Sequence, residues 1–273
     1  MSKKLKIAVI SSKGGVGKST ISMQLINPYL YERNNQEAVS HYEFDDENND
    51  SLSFGGSKLS KKKQIDVSSP LLMEELTDIF AKDESICLDI GANKTTMTVI
   101  EALHDSGMIN FLDLVVIPIL DGEQDGINAS FIYSVLKGYN EKLKFVFVLN
   151  RAKDAEYITY QFENYFGDIR GIFKDIYSVS NNLFEEDRGK YLVMLENDII
   201  KYSRRYGLSI YEIAQLERDF ISEMDNLMSN LSKEQEVKLL SFKNYVSLTS
   251  KKYLKEVLTV AFETIDTIIE GKR

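Results

Sequence analysis

Residues 11–20 read Ser-Ser-Lys-Gly-Gly-Val-Gly-Lys-Ser-Thr, directly after the apolar run Leu5–Ile10 and directly before a helical pattern. A strand that ends in glycines and turns into a helix can wrap its backbone around an anion. The glycines bring no Cβ into the way, and the N–H groups at the helix start point inward. Gly14, Gly15, Val16 and Gly17 would form such a cradle. Lys18 would reach the β and γ phosphates of a nucleotide, Ser19 would set its hydroxyl on Mg2+, and Thr20 would touch the α phosphate. A glycine-rich turn without a ligand has no use for two lysines, three glycines and Ser-Thr at one junction.

Other residues could complete that chemistry. Ser85–Asp89 is an apolar run ending in a carboxylate and followed by Ile90-Gly91, which suits a strand-end acid that holds Mg2+ through water. Asp89 is therefore the metal candidate, with a solvated strand-end aspartate as the alternative. The stretch His41–Asn48 carries four carboxylates, of which Glu43 and Asp45 stand one residue apart, and could equally be a surface cluster. Neither His41 nor His104 has a Ser or Cys nucleophile signature beside it, so both read as packed or solvated. Cys87 reads as a small hydrophobe in a buried strand.

The strict phosphate-loop pattern asks for glycine at position 12, where this chain has Ser12, and Lys13 then precedes Gly-Gly-Val-Gly-Lys-Ser. This resembles the deviant Walker A motif of the ParA/MinD family of P-loop ATPases. The resemblance runs from about Leu5 to Arg151 and more thinly to about Ala214, with Pro118 and Arg205–Glu212 matching later family segments. It implies that Lys13 reaches across a nucleotide-sandwich dimer to the partner's phosphates, and that Lys13, Lys18 and Asp45 carry catalysis. In the family's Asp-x-Asp-Pro-Gln segment the second aspartate lies near the attacking water. Asp45 matches it, but Asp46-Glu47 replace Pro-Gln. Asn150, with Arg151 beside it, falls where the family places an adenine-recognising asparagine, whose amide offers both donor and acceptor; a turn asparagine ending the strand would look the same.

The resemblance further implies ATP and Mg2+ as cofactors, an ATP-dependent homodimer, and hydrolysis to ADP and phosphate that resets it. Such a machine positions a plasmid or chromosomal cargo through a centromere-binding or other adaptor protein, with non-specific DNA as a further partner. Two other functions fit parts of the pattern. One is a regulatory or scaffolding switch for a conjugation, secretion or polar complex that binds no DNA. The other is a metabolic P-loop ligase of the dethiobiotin-synthetase type, which would not need Lys13.

These residues need a scaffold. The 273 residues carry 33 Lys+Arg against 42 Asp+Glu, a formal net charge of −9, which argues against a wholly basic nucleic-acid surface. One cysteine and two histidines exclude a disulfide framework, a cysteine-rich zinc site and the cluster of a nitrogenase-reductase-like relative. The start carries four consecutive apolar residues after its lysines, too few for a secretory signal, so a cytoplasmic protein is expected, nucleoid-associated if it binds DNA, with membrane binding disfavoured.

Apolar runs near 5–11, 38–45, 85–90, 112–119 and 143–150 predict strands, and amphipathic stretches near 18–33, 70–82, 95–107 and 125–141 predict the helices between them. Strands this continuous in apolar residues belong to a doubly wound, mostly parallel α/β sheet covered on both faces. In the light of the motif, that is a P-loop NTPase with a helical C-terminal extension. Residues 46–68 read as a long loop, and Asn27-Pro28 should kink or end the first helix. Helices are expected near 188–206, 209–231 and 233–270, the last broken around 247–250. The expected division is an ATPase domain at 1–214 and a helical extension at 215–273. Lys201-Arg204-Arg205 and Lys251-Lys252-Lys255 are basic clusters that could meet a DNA backbone. The apolar stripe Leu254–Ile269 faces acids on the opposite side, which favours packing on the core or a partner helix over anionic lipid.

Overall fold

The continuous apolar runs become the inner strands of one parallel sheet. The computed structural model describes residues 3–44, 54–172, 177–215 and 231–271. Its strands are β1 (Lys6–Ile10), β2 (Val39–Phe44), β3 (Ser60–Gln64), β4 (Ile86–Ile90), β5 (Leu114–Ile119), β6 (Phe145–Ala152) and β7 (Tyr191–Leu195). They lie in the order β3-β2-β4-β1-β5-β6-β7, and every neighbouring pair is parallel.

Successive residues of the inner strands point to opposite faces, and both faces are dry. Ala8 and Ile10 of β1 join one buried cluster with α3 (Leu72–Ala81), α4 (Lys94–Asp105) and α5 (Glu123–Tyr139). Ile7 and Val9 join another with α1 (Lys18–Ile21), α2 (Asn27–Arg33) and the C-terminal helices. The chain leaves β1 towards one face and β4 towards the other. A crevice opens where such neighbours diverge, at the carboxyl ends of the strands.

Pro28 neither ends nor sharply interrupts the first helix. The backbone widens into a π turn over Ser22–Ile26, where the Asn27 N–H bonds the Ser22 carbonyl, and α2 continues from Asn27. The longer hydrogen-bond step accommodates a position that has no N–H to offer.

Three expectations change. Residues 46–68 contain an edge strand, β3, whose sequence Ser-Lys-Lys-Lys-Gln has no apolar signal and which among the described residues pairs with β2 alone. The span 188–206 is a strand followed by a short helix, β7 and then α8 (Asp198–Arg205), capped by the Asn197 side chain. Five apolar residues are too few for periodicity to separate strand from helix. The final helical stretch does not break at 247–250: α10 (Lys233–Tyr253) passes through a π turn at Leu254–Leu258 into α11 (Thr259–Glu270). Short α6 (Ile158–Gln161), α7 (Glu163–Phe166) and α9 (Ile210–Gln215) complete the described helices, so most of the helix expected at 209–231 lies outside the described residues.

The terminal stripe packs inward. Leu258, Ala261, Phe262 and Ile265 are buried in the same cluster as β1 and α2, and Asp266 forms an ion pair with Arg33 and accepts the Tyr29 hydroxyl at 2.8 Å. On the opposite face Lys137 of α5 is buried, 2.7 Å from Asp187 and bonded to the Glu141 carbonyl, fixing the segment that leads into β7. Among the described residues no helix is long and apolar enough to cross a membrane.

His41 is enclosed in β2, its Nδ1 3.2 Å from the Asn27 amide and its Nε2 without a hydrogen-bond partner. Burial first, then the charge on Lys62, pushes its pKa down from 6.5 to about 3. The folded ring stays neutral where an unfolded one takes up a proton, so its contribution to stability is intact above pH 6.5 and falls as the pH drops towards 3. Between pH 7.5 and 5 the wild-type protein should lose about 2 kcal/mol more than His41→Gln in urea unfolding. Parallel pH profiles would show that the ring is not held neutral.

Candidate nucleotide site

β1 delivers the loop 11–17 to the crevice, and two left-handed glycines shape it: Gly15 at φ 77° and Gly17 at φ 91°. Gly17 is also pressed from outside, since a Cβ there would collide with the Asn150 side-chain amide. That amide donates to the Val16 carbonyl at 2.7 Å, so the end of β6 grips the loop at its tightest turn. Gly14 lies against Ala92, whose Cβ is 4.0 Å from where a Cβ of its own would stand. The segment after β4 is tied to the loop as well, through Asn93 N–H to the Ser12 carbonyl at 2.9 Å and Thr96 Oγ1 to the Ser11 carbonyl at 3.2 Å.

Beneath this loop α1 begins at Lys18, which is buried and whose Nζ lies 3.3 Å from the Lys13 carbonyl. Asp89, at the end of β4 beside β1, is 2% exposed and its Oδ2 has no hydrogen-bond partner. Burial first and then the neighbouring Glu43 raise its pKa to about 7, with Lys18 and the Ser19 and Ser22 hydroxyls acting the other way. Glu43 is the register partner of Asp89 across β2 and β4, and it too is buried. Two carboxylates side by side in a dry crevice, one with an orphaned oxygen, suit a small hard cation. Mg2+ needs only one or two protein acids beside phosphate oxygens, so Ser19, Asp89 and Glu43 fit it. No cluster of three or more His, Cys, Asp or Glu able to hold a metal occurs among the described residues.

Glu43 joins the candidate site beside Asp89, whereas the spacing argument favoured Asp45; the signal for it is a carboxylate inside the apolar run of β2. Asp45 lies outside the described residues.

Lys13 leaves its own loop's floor. Its Nζ is 2.8 Å from Asp125 Oδ2 in the first turn of α5, with Lys13 at 38% side-chain exposure and Asp125 at 4%. The second oxygen of Asp125 has no hydrogen-bond partner. On the other side of the loop, Thr20, Asn150 and Arg151 line a cleft of about 370 Å3 with Glu196, Asp198 and Lys201. Arg204 lines the same cleft, so two of the three basic residues Lys201, Arg204 and Arg205 border it. Asn150 spends a donor on Val16 and its Oδ1 accepts the Arg151 N–H at 3.0 Å. Its first role is to hold the loop.

With Asp89 ionisable only at the cost of burial beside Glu43, its folded pKa lies above its unfolded value, and the charged form weakens the fold as the pH rises through 3.8 towards 7. Asp89→Asn should therefore raise the melting temperature of the ligand-free protein by several degrees at pH 8 and by less than half as much at pH 5. Calorimetric melting at both values checks this, and no gain at pH 8 would place Asp89 in a relaxed environment.

No family model matches the chain, and no curated protein matches it. Solved structures to which it is similar include McdA of Cyanothece in complex with ATP, at 15% identity over 80% of this chain and 93% of that one, with a TM-score of 0.47. MinD of Aquifex aeolicus is similar at 14% identity over 76% and 88%, TM-score 0.47, and a plasmid partition protein of Borrelia burgdorferi at 16% over 75% and 97%, TM-score 0.46. The chain's own strand order, its glycine loop between β1 and α1, and the acid at the end of β4 make this the P-loop NTPase fold, wound to both sides of a parallel sheet.

Proposed function

We propose that the chain is an ATPase of the ParA/MinD kind, in which Mg-ATP brings two copies face to face and hydrolysis to ADP and phosphate parts them. The observation that carries this reading is the second lysine. Lys18 serves the chain's own phosphate loop, whereas the Lys13 ammonium stands 2.8 Å from Asp125, partly open to solvent. A triphosphate on a second copy carries several charges against the single charge of Asp125, and the exposed ammonium can exchange one for the other.

In this reading the loop amides and Lys18 bind the triphosphate, and Thr20 contacts the α phosphate. Mg2+, when bound, neutralises charge on the outer phosphates; Ser19 and Asp89 would hold it, with Glu43 beside them. Lys13 of each copy meets the charge that develops on the other copy's nucleotide, and Asp45 orients the water. The base enters the cleft at Asn150 and Arg151, whose volume suits a nucleoside. A ligase would leave Lys13 idle.

Cargo positioning through an adaptor protein, in plasmid or chromosome partition, is the biological role proposed for this switch, within the cytoplasm. The ATPase unit is assigned to 1–214 and the helical extension to 215–273. A second reading, a positioning switch that binds no DNA, is favoured by Lys201 and Arg204 bordering the nucleotide cleft. Lys251, Lys252 and Lys255 remain exposed for a DNA backbone. Light scattering with a slowly hydrolysed ATP analogue, with and without random duplex DNA, separates the two.

Lys18→Ala should abolish ATP uptake by titration calorimetry in the presence of Mg2+; undiminished uptake would refute the site. Lys13→Ala should still bind ATP as a monomer yet lose dimerisation and turnover by roughly 10³-fold, the scale of other cations acting in trans. Asp125→Ala, by releasing Lys13, should increase the dimer fraction formed with the ATP analogue. An unchanged monomer–dimer balance would mean that Asp125 does not compete for Lys13.

A further inference from the structure

The two edges of the sheet are built differently. β3 carries Lys61, Lys62 and Lys63, charges that discourage another strand from pairing. β7, at the opposite edge, reads Tyr-Leu-Val-Met-Leu and carries none. Phe147 N–H donates to the Lys190 carbonyl at 3.1 Å and Glu196 N–H to the Ala152 carbonyl at 2.8 Å. The even-numbered residues of β7 thus turn their backbone to β6, and Tyr191, Val193 and Leu195 turn theirs outward. The Tyr253 hydroxyl caps the Leu195 carbonyl at 2.9 Å, and Tyr191 N–H bonds locally to Gly189. Among the described residues no strand pairs with the outward groups of Val193.

Alongside this edge runs an apolar cleft of about 370 Å3, walled by Val193 and Leu195 on one side and Val257, Val260 and Ala261 on the other. Val260 is 55% exposed. Through Gly189 and Thr264 the cleft continues into a second of about 380 Å3. The walls carry the exposed carboxylates of Glu256 and Glu186, loosely paired with Lys252 at 3.9 Å and Lys137 at 3.8 Å, and the wall ammonium of Lys190 is held by Asp187 at 3.1 Å.

We propose that the β7 edge is a docking site for an extended peptide of a partner protein, alternating apolar and basic residues, which adds an eighth strand to the sheet. The unpaired backbone selects an extended conformation, the cleft accepts every second side chain, and the acidic walls favour Lys or Arg between them. A second copy of this chain would bring the same acids and its own net charge of −9 to the contact, which disfavours self-pairing.

The test uses the full chain without nucleotide, so its outcome is separate from that of the ATPase reading. A fluorescein-labelled ten-residue peptide of alternating Lys and Val is titrated by anisotropy against a Glu-Val counterpart and a copy N-methylated at every second residue. The Lys-Val peptide should bind about tenfold or more tightly than either. Val193→Pro removes an outward N–H, which an edge strand tolerates, together with part of the cleft wall, and should weaken binding about tenfold. Val260→Lys, on the exposed wall, should weaken it too. Equal binding of the N-methylated peptide, equal binding by both variants, or no binding at all would overturn the proposal. So would a concentration-dependent dimer that Val193→Pro dissolves, since the edge would then belong to self-pairing.

Discussion

The Asn150 amide reaches from the end of β6 across β5 to the Val16 carbonyl at 2.7 Å, and directly against it Gly17 turns left-handed with no room for a side chain. This contact is where sheet and loop become one object. The loop's amides can converge on an anion only if its curvature is held, and a free glycine-rich segment would sample many curvatures. Holding it from a strand two places away makes the loop's shape a consequence of sheet register. The ties from Asn93 and Thr96 to the Ser12 and Ser11 carbonyls secure its other flank from β4.

Around that fixed loop the charges are left uncomfortable. Asp89 and Glu43 are buried together, with the Lys18 ammonium near Asp89 and that of Lys62 acting on Glu43, and burial and the second carboxylate still raise the pKa of Asp89. A crevice that stabilises charge poorly by itself gains most when a cation and a polyphosphate arrive together. Lys13 shows the complementary state, an exposed cation satisfied by a buried carboxylate that keeps one oxygen orphaned. Its bond to Asp125 links the loop to α5, whose far end is locked by the buried Lys137–Asp187 pair to the segment entering β7.

The inner strands were legible because a strand covered on both faces must be apolar at every position, as Leu114–Ile117 and Phe145–Leu149 are. The edges were not. β3 is lysine-rich because one side meets water, and its strand state comes from pairing with β2 rather than from its composition. β7 is five residues long, within the range where helix and strand patterns coincide, and only the neighbouring β6 decides between them. Pro28 reads as a helix breaker, yet the π turn at Ser22–Ile26 absorbs it.

The site divides the same way. The glycine loop and the placement of Lys18, Ser19 and Asp89 at the ends of apolar runs are short-range signals, set by residue type and position in the linear chain. Glu43 opposite Asp89, Asp125 opposite Lys13, and Asn150 on Val16 join residues 46, 112 and 134 positions apart, with the last two separations given by the chain's contacts and the first by sheet register. Such pairs depend on strand order and helix placement. A chain's local pattern states what each segment prefers to bury, but which segments become neighbours follows from packing them all at once.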